Sequence, residues 1–193
     1  PISGAGSDRP GLAAIAVDEP SRAIARTSER VELDLGAIGK GYAVDRALVT
    51  IADWLEGGVM LVAGESTMRA MGPPPGDGPA WTMAIRDPRD EATKLDEIGL
   101  DGGAISAAAA GESGHVLDPR TGRAAAAAIG AWAVAESGAR SDALATAALV
   151  MSAEQIADCC ERAPELAIAR LTPAGEFETH GRWGALRGIV DGE

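Results

Sequence analysis

Strand-like and helix-like stretches follow one another along this 193-residue chain without a regular βαβ rhythm, and that ordering limits its fold more than any other feature. A doubly wound parallel sheet needs a helix between successive strands. Strands and helices in mixed runs favour instead an α+β domain of mixed sheets and packed helices. Residues 12–17 and 30–35 read as two strands, parted by the turn Asp18-Glu19-Pro20-Ser21. Val44, Ala47, Leu48, Ile51 and Leu55 then recur at three- and four-residue spacing, one face of an amphipathic helix that opens near Tyr42 and closes at Gly57-Gly58. Further strands are predicted at residues 59–63, 81–86 and 129–135, with a Pro- and Gly-rich loop at 71–79. Residues 102–110 are small and apolar without a clear period. Ser141 suits the N-cap of a helix running to about Val150, and Ser152 with Gln155 resembles a capping box for a helix over 153–162. A hairpin of residues 166–170 and 176–180 ends the pattern, with His180 expected at the surface.

The chain is long enough for one domain with a real core. Residues 1–10, rich in Pro, Gly and Ser, read as a flexible lead-in, and residues 11–193 as that domain. Aromatic residues make up only 3%, so the core must be assembled from Ala, Val, Leu and Ile. A formal net charge of −12 argues against nucleic acid as partner, because phosphate backbones are gripped by clustered Lys and Arg. It argues equally against docking on anionic lipid, and no apolar run reaches membrane-spanning length. Cys159 and Cys160 are adjacent on a predicted helix and point in different directions, which disfavours a disulfide between them or a two-cysteine metal site. Without a signal peptide the chain fits the cytoplasm; it opens on Pro1 rather than Met, and a removed N-terminal signal would fit an extracytoplasmic location instead.

Three segments could carry chemistry. In the first, residues 34–45, a strand ends in a Gly-rich turn that opens a helix, so backbone N–H groups can approach an anion at the helix N-terminus. Lys40 would add a point charge for a phosphate, and Asp34 an acceptor for ribose or flavin. A plain strand–helix turn has the same composition, and Lys40 lacks the following Ser or Thr of a Walker A loop. The second, residues 115–122, holds His115 ahead of the turn Asp118-Pro119, and histidine moves protons near neutral pH, though a lone histidine before a turn is often structural. In the third, residues 141–146, Asp142 and Thr146 lie four apart on one helix face, an oxygen pair suited to Mg²⁺ or Ca²⁺. A dipole-stabilising Asp and a back-bonding Thr would look the same.

Taken in order, these residues resemble the ApbE family of FAD:protein FMN transferases. Residues 34–45 resemble its Asp-Leu-Gly-Gly-Ile-Ala-Lys-Gly-Tyr signature, residues 81–88 its Trp-strand-Asp-Pro segment, residues 115–122 its His-x-x-Asp-Pro-x-Thr-Gly turn and residues 141–146 its metal helix. The resemblance implies that Asp34, Lys40 and Leu117 contact FAD. It implies that Asp142 and Thr146 bind Mg²⁺ with the backbone carbonyl of Ala37, and that His115 assists proton transfer. The partners implied are FAD and an acceptor flavoprotein whose Thr or Ser hydroxyl receives FMN while AMP leaves. The family usually carries around a hundred residues before the Asp-Leu-Gly segment that this sequence does not contain. It also has Gly64-Glu65-Ser66 for the family's Gly-Gly-Asp or Gly-Gly-Asn, and Ala145 where some relatives place a second acid. Those departures motivate the alternatives of FAD hydrolysis to FMN and AMP, or a flavin-binding module without turnover.

Overall fold

The computed structural model describes residues 12–76, 78–111 and 116–191. The expected lead-in and His115 therefore lie outside the described residues. The elements run β1 (Ile15–Asp18), β2 (Ala23–Arg26), α1 (Gly39–Ile51), β3 (Val59–Ala63), β4 (Thr67–Met71), β5 (Trp81–Asp87), β6 (Asp90–Leu100), β7 (Gly103–Ala109), β8 (Gly130–Ala135), α2 (Gly138–Ala148), α3 (Ala153–Arg162), β9 (Ala167–Leu171), β10 (Phe177–Gly181) and α4 (Trp183–Asp191). The class is α+β, as the irregular ordering predicts.

The scaffold is a six-stranded antiparallel sheet in the order β10-β9-β8-β7-β4-β3. Its two faces follow from the two-residue period of a strand. In β8, Ala131, Ala133 and Ala135 point to one side, where they pack with Ala145, Ala148 and Leu149 of α2 and its C-terminal end and Ile156 and Cys160 of α3. Trp132 and Val134 point to the other, into a second core with Ile85, Ile98 and Leu100 of the β5–β6 hairpin and Trp183 and Leu186 of α4. Alanine on the helix-facing side lets α2 approach closely. The aliphatic core is therefore as composition predicts, but its far side is completed by aromatics: Phe177 lies 5.8 Å from Trp132 and 6.2 Å from Trp183 between ring centroids.

Several local expectations are corrected. Residues 30–35 form no strand; β1 pairs instead with β2, the nearer segment, in register Ile15↔Arg26 to Asp18↔Ala23. Helix α1 starts at Gly39, three residues before Tyr42, and gives way after Ile51 to a 3-10 turn, so Leu55 lies beyond it. The periodless residues 102–110 contain β7, which sits between β4 and β8. The N-cap of α2 is Ser137 rather than Ser141: Ser137 has extended backbone angles and its Oγ accepts from the Arg140 N–H. Ser141 lies inside the helix and is fully buried. By contrast the Ser152–Gln155 capping box is present in both directions, and β9 pairs with β10 as the terminal hairpin. His180 is not a surface residue. It is half-buried, with Nε2 buried and without a hydrogen-bond partner.

Candidate active site

The site is built where α1 crosses α2. Gly41 on α1 and Gly138 on α2 meet backbone to backbone. A Cβ added at Gly41 would stand 1.9 Å from the Gly138 carbonyl oxygen, so only glycine allows this approach. Close contact brings the first turn of α1 against the second turn of α2. There Asp142, only 3% exposed, accepts a hydrogen bond on Oδ2 from the Gly41 N–H at 3.0 Å. Its Oδ1 lies 3.4 Å from the Lys40 ammonium, which is itself 43% exposed. Asp142 thus serves the N-terminus of α1 rather than that of its own helix, where a first-turn position was expected. A buried carboxylate needs such compensation, and here amide, ammonium and helix dipole supply it together.

One turn further along α2, the Thr146 hydroxyl donates to the Asp142 carbonyl at 3.3 Å. The donation uses its hydrogen and leaves the oxygen lone pairs. Asp142 and Thr146, predicted from sequence to act together, are on neighbouring turns of one helix, and Lys40 meets Asp142 across the crossing. Ala37 lies in the turn of residues 36–38 that precedes α1. Asp34 is exposed and accepts the Gly36 N–H at 2.7 Å, closing that turn. Serine hydroxyls back the crossing: Ser141 Oγ donates to the Gly138 carbonyl at 3.0 Å and lies 2.8 Å from Ser106 Oγ, which contacts Thr67 Oγ1 at 3.3 Å.

The turn after His115 is tied to the far end of α2. Leu117 forms a single antiparallel bridge with Ala124, and the Gly122 N–H returns to the Asp118 carbonyl at 2.7 Å with Gly122 at φ +68°. Asp118 holds the Arg120 guanidinium through Nε and NH2, and hydrogen bonds from that side chain keep its carboxyl below the usual carboxylate range. Arg120 in turn donates to the Val150 carbonyl at the C-terminal end of α2 and to Gln155 at 3.2 Å. Sequence reasoning passed over Arg120. A cation placed to meet a helix C-terminus is its signal, but the partner helix is about thirty residues away in sequence.

Among the described residues no three His, Cys, Asp or Glu side chains gather as a metal-holding group. An ion at Asp142 would complete its shell from hydroxyl, carbonyl and phosphate oxygens. The residues present fit a hard cation: the donors are all oxygen, and the buried carboxylate already faces a positive charge. No helix among the described residues is long and apolar enough to cross a membrane.

Comparison with known proteins shows the same fold in solved structures. The structure of the ApbE protein from Thermotoga maritima superposes with a TM-score of 0.80 at 26% identity, over 93% of this chain and 60% of that one. Flavinyl transferase ApbE of Pseudomonas stutzeri, in its apo form, gives 0.74 at 22% identity, covering 93% and 57%. Flavin transferase ApbE of Vibrio cholerae gives 0.77 at 20% identity, covering 96% and 64%. The last two identities speak for the fold alone. The chain spans about three fifths of the length of these structures. No curated protein matches it. The sequence profile of the ApbE family matches residues 5–169, and by that measure the chain belongs to the ApbE family.

Proposed function

We infer that this chain carries the site of a Mg²⁺-dependent flavin transferase, which moves FMN from FAD to a Thr or Ser hydroxyl of an acceptor protein. The observation that carries this reading is the buried Asp142 carboxylate facing the Lys40 ammonium at the α1–α2 crossing, with Thr146 one turn away. Asp142, Thr146 and the Ala37 carbonyl would hold Mg²⁺, which when bound offsets charge on the pyrophosphate and on the departing group. Lys40 would move from Asp142 to a phosphate oxygen once a metal neutralises the carboxylate. Asp34, from the turn before α1, and Leu117, from the turn tied to the far end of α2, would contact FAD. His115 would take the proton of the acceptor hydroxyl as its oxygen bonds to the FMN phosphorus, while the bond to AMP breaks and AMP leaves with that electron pair. The family membership supports the same chemistry.

The test is incubation with FAD, Mg²⁺ and a Thr-containing acceptor peptide, read by mass spectrometry. A covalent FMN adduct with stoichiometric AMP supports the reading, and its loss in His115→Ala assigns the base. Free FMN and AMP without an adduct would reassign the chain to FAD hydrolysis. Saturable FAD binding with no product, unaffected by His115→Ala, would leave a binding module and overturn the transferase.

A further inference from the structure

The α1–α2 crossing has a second tie that the chemistry above does not use. Asp45, four residues after Gly41, accepts the Gly138 N–H on Oδ1 at 2.8 Å and the Ala139 N–H on Oδ2 at 2.9 Å. Asp142, four residues after Gly138, accepts the Gly41 N–H. Each helix therefore presents, one turn past its contact glycine, the carboxylate that caps the other helix. The two ties run in opposite senses across one antiparallel contact. Asp45 is in turn held by Arg69 of β4, whose Nε lies 3.2 Å away and whose NH1 donates at 2.7 Å to the carbonyls of Ala70 and Gly103. That chain of contacts anchors the helix pair to the central sheet.

We propose that Asp45 is a positioning residue for the Asp142 site: with Arg69 it pins the N-terminus of α2 to α1 and so sets where Asp142 and Thr146 stand relative to Lys40. Glycine at both contact positions brings backbone against backbone, with the Val44 methyl of α1 lying over Gly138, and the hydrogen bonds add the directional restraint against rotation of α2 about the contact. Asp142 and Thr146 lie four and eight residues beyond Gly138, about 6 and 12 Å along the helix axis. With Asp142 tied to Gly41, a pivot of about ten degrees about that tie displaces Thr146, about 6 Å beyond it, by about 1 Å. Metal ligation tolerates about 0.2 Å. One tie at Asp142 leaves that pivot free, whereas a second at Asp45 removes it.

The use of Mn²⁺ below rests on the flavin-transferase reading; the latch itself does not. The experiment compares wild type, Asp45→Asn and Asp142→Ala by amide hydrogen exchange at Gly41 and by Mn²⁺ binding in the presence of FAD, followed by electron paramagnetic resonance. Asp45→Asn keeps the side-chain volume and one acceptor. It is expected to quicken exchange at Gly41, on the other helix, by about tenfold or more and to weaken Mn²⁺ binding by about 10- to 100-fold. Faster exchange at Gly138 and Ala139 alone, with Gly41 and Mn²⁺ affinity unchanged, would reduce Asp45 to a simple cap and overturn the proposal. If Asp45→Asn does not fold, Arg69→Gln serves, since it leaves the carboxylate in place but loosens it; an unmoved Gly41 in that variant likewise overturns the proposal. Mn²⁺ affinity untouched by Asp142→Ala refutes the metal site instead, while Gly41 exchange still judges the latch.

Discussion

Replacing Gly41 by alanine should destabilise the protein even though alanine is the better helix former. Judged by propensity, the change in α1 is worth about 1 kcal/mol in favour of alanine. The new methyl, however, would lie 1.9 Å from the Gly138 oxygen, 2.2 Å from its carbonyl carbon and 2.6 Å from the Ala139 nitrogen, all backbone atoms that cannot rotate away. Relief to ordinary contact requires the helices to part by about 1.5 Å, an overpacking that costs about 1–3 kcal/mol. The same movement stretches the 3.0 Å bond from Gly41 to Asp142 beyond hydrogen-bonding range. Loss of a bond to a buried carboxylate adds about 1.5–3 kcal/mol. The net expectation is a loss of about 3 kcal/mol, or about 6–12 °C in Tm for a chain of this size. Gly188 of α4 is the control, because a Cβ there meets nothing within 4 Å. Gly188→Ala should be neutral or stabilising by up to about 1 kcal/mol. Urea denaturation of both variants decides the matter. If Gly41→Ala is as stable as Gly188→Ala, the close helix crossing is wrong, and with it the placement of Asp142.

Two further outcomes concern charge. Burial, and secondarily the Arg170 guanidinium, hold the His180 imidazole below its ordinary pKa, against a smaller opposing pull from Glu178. The unfolded chain therefore binds a proton there more readily, so stability should fall as pH drops below about 6.5. His180→Gln should flatten that part of the urea-midpoint profile, and an unchanged slope would show that His180 is solvated. At α4, burial raises the Asp96 pKa, but hydrogen bonds from Arg187, Trp183 Nε1 and the Glu97 amide outweigh it and hold the carboxyl below its ordinary range. Its contribution is present above about pH 4 and is lost as pH falls through the folded-state value. Asp96→Ala at pH 7 should cost about 1–3 kcal/mol, and near-UV circular dichroism should report loosened packing of Trp183. Wild-type stability in that variant would refute the role given to this anchor.

Local physics was readable wherever one segment carried its own signal. The Ser152–Gln155 capping box, the strand at β3 and the β9–β10 hairpin all depend on residues a few positions apart, and all are present. The same holds for the placement of Asp142 and Thr146 on neighbouring turns of one helix, which their four-residue spacing predicts. Elements whose reason lies elsewhere were not readable. Strand β6 is mostly exposed along its first half and buried only where it meets α4 and the sheet, so its charges hide its period. Helix α4 contains two glycines and is held by Asp96 from β6, a contact spanning about ninety residues.

By itself the sequence determined the α+β class, the aliphatic core and the order of the segments that resemble the ApbE family. Spacing, caps and polarity act over one or two turns of chain and leave a local trace. Tertiary structure alone decided that Ser137 rather than Ser141 caps α2, since the choice depends on how deep the helix end sits against β7 and α1. It alone decided that Asp142 caps α1 and Asp45 caps α2, pairings across 101 and 93 residues that exist only because Gly41 and Gly138 let two backbones touch. A hydrogen bond between such distant groups has no periodicity in the chain, so only the packed fold reveals it.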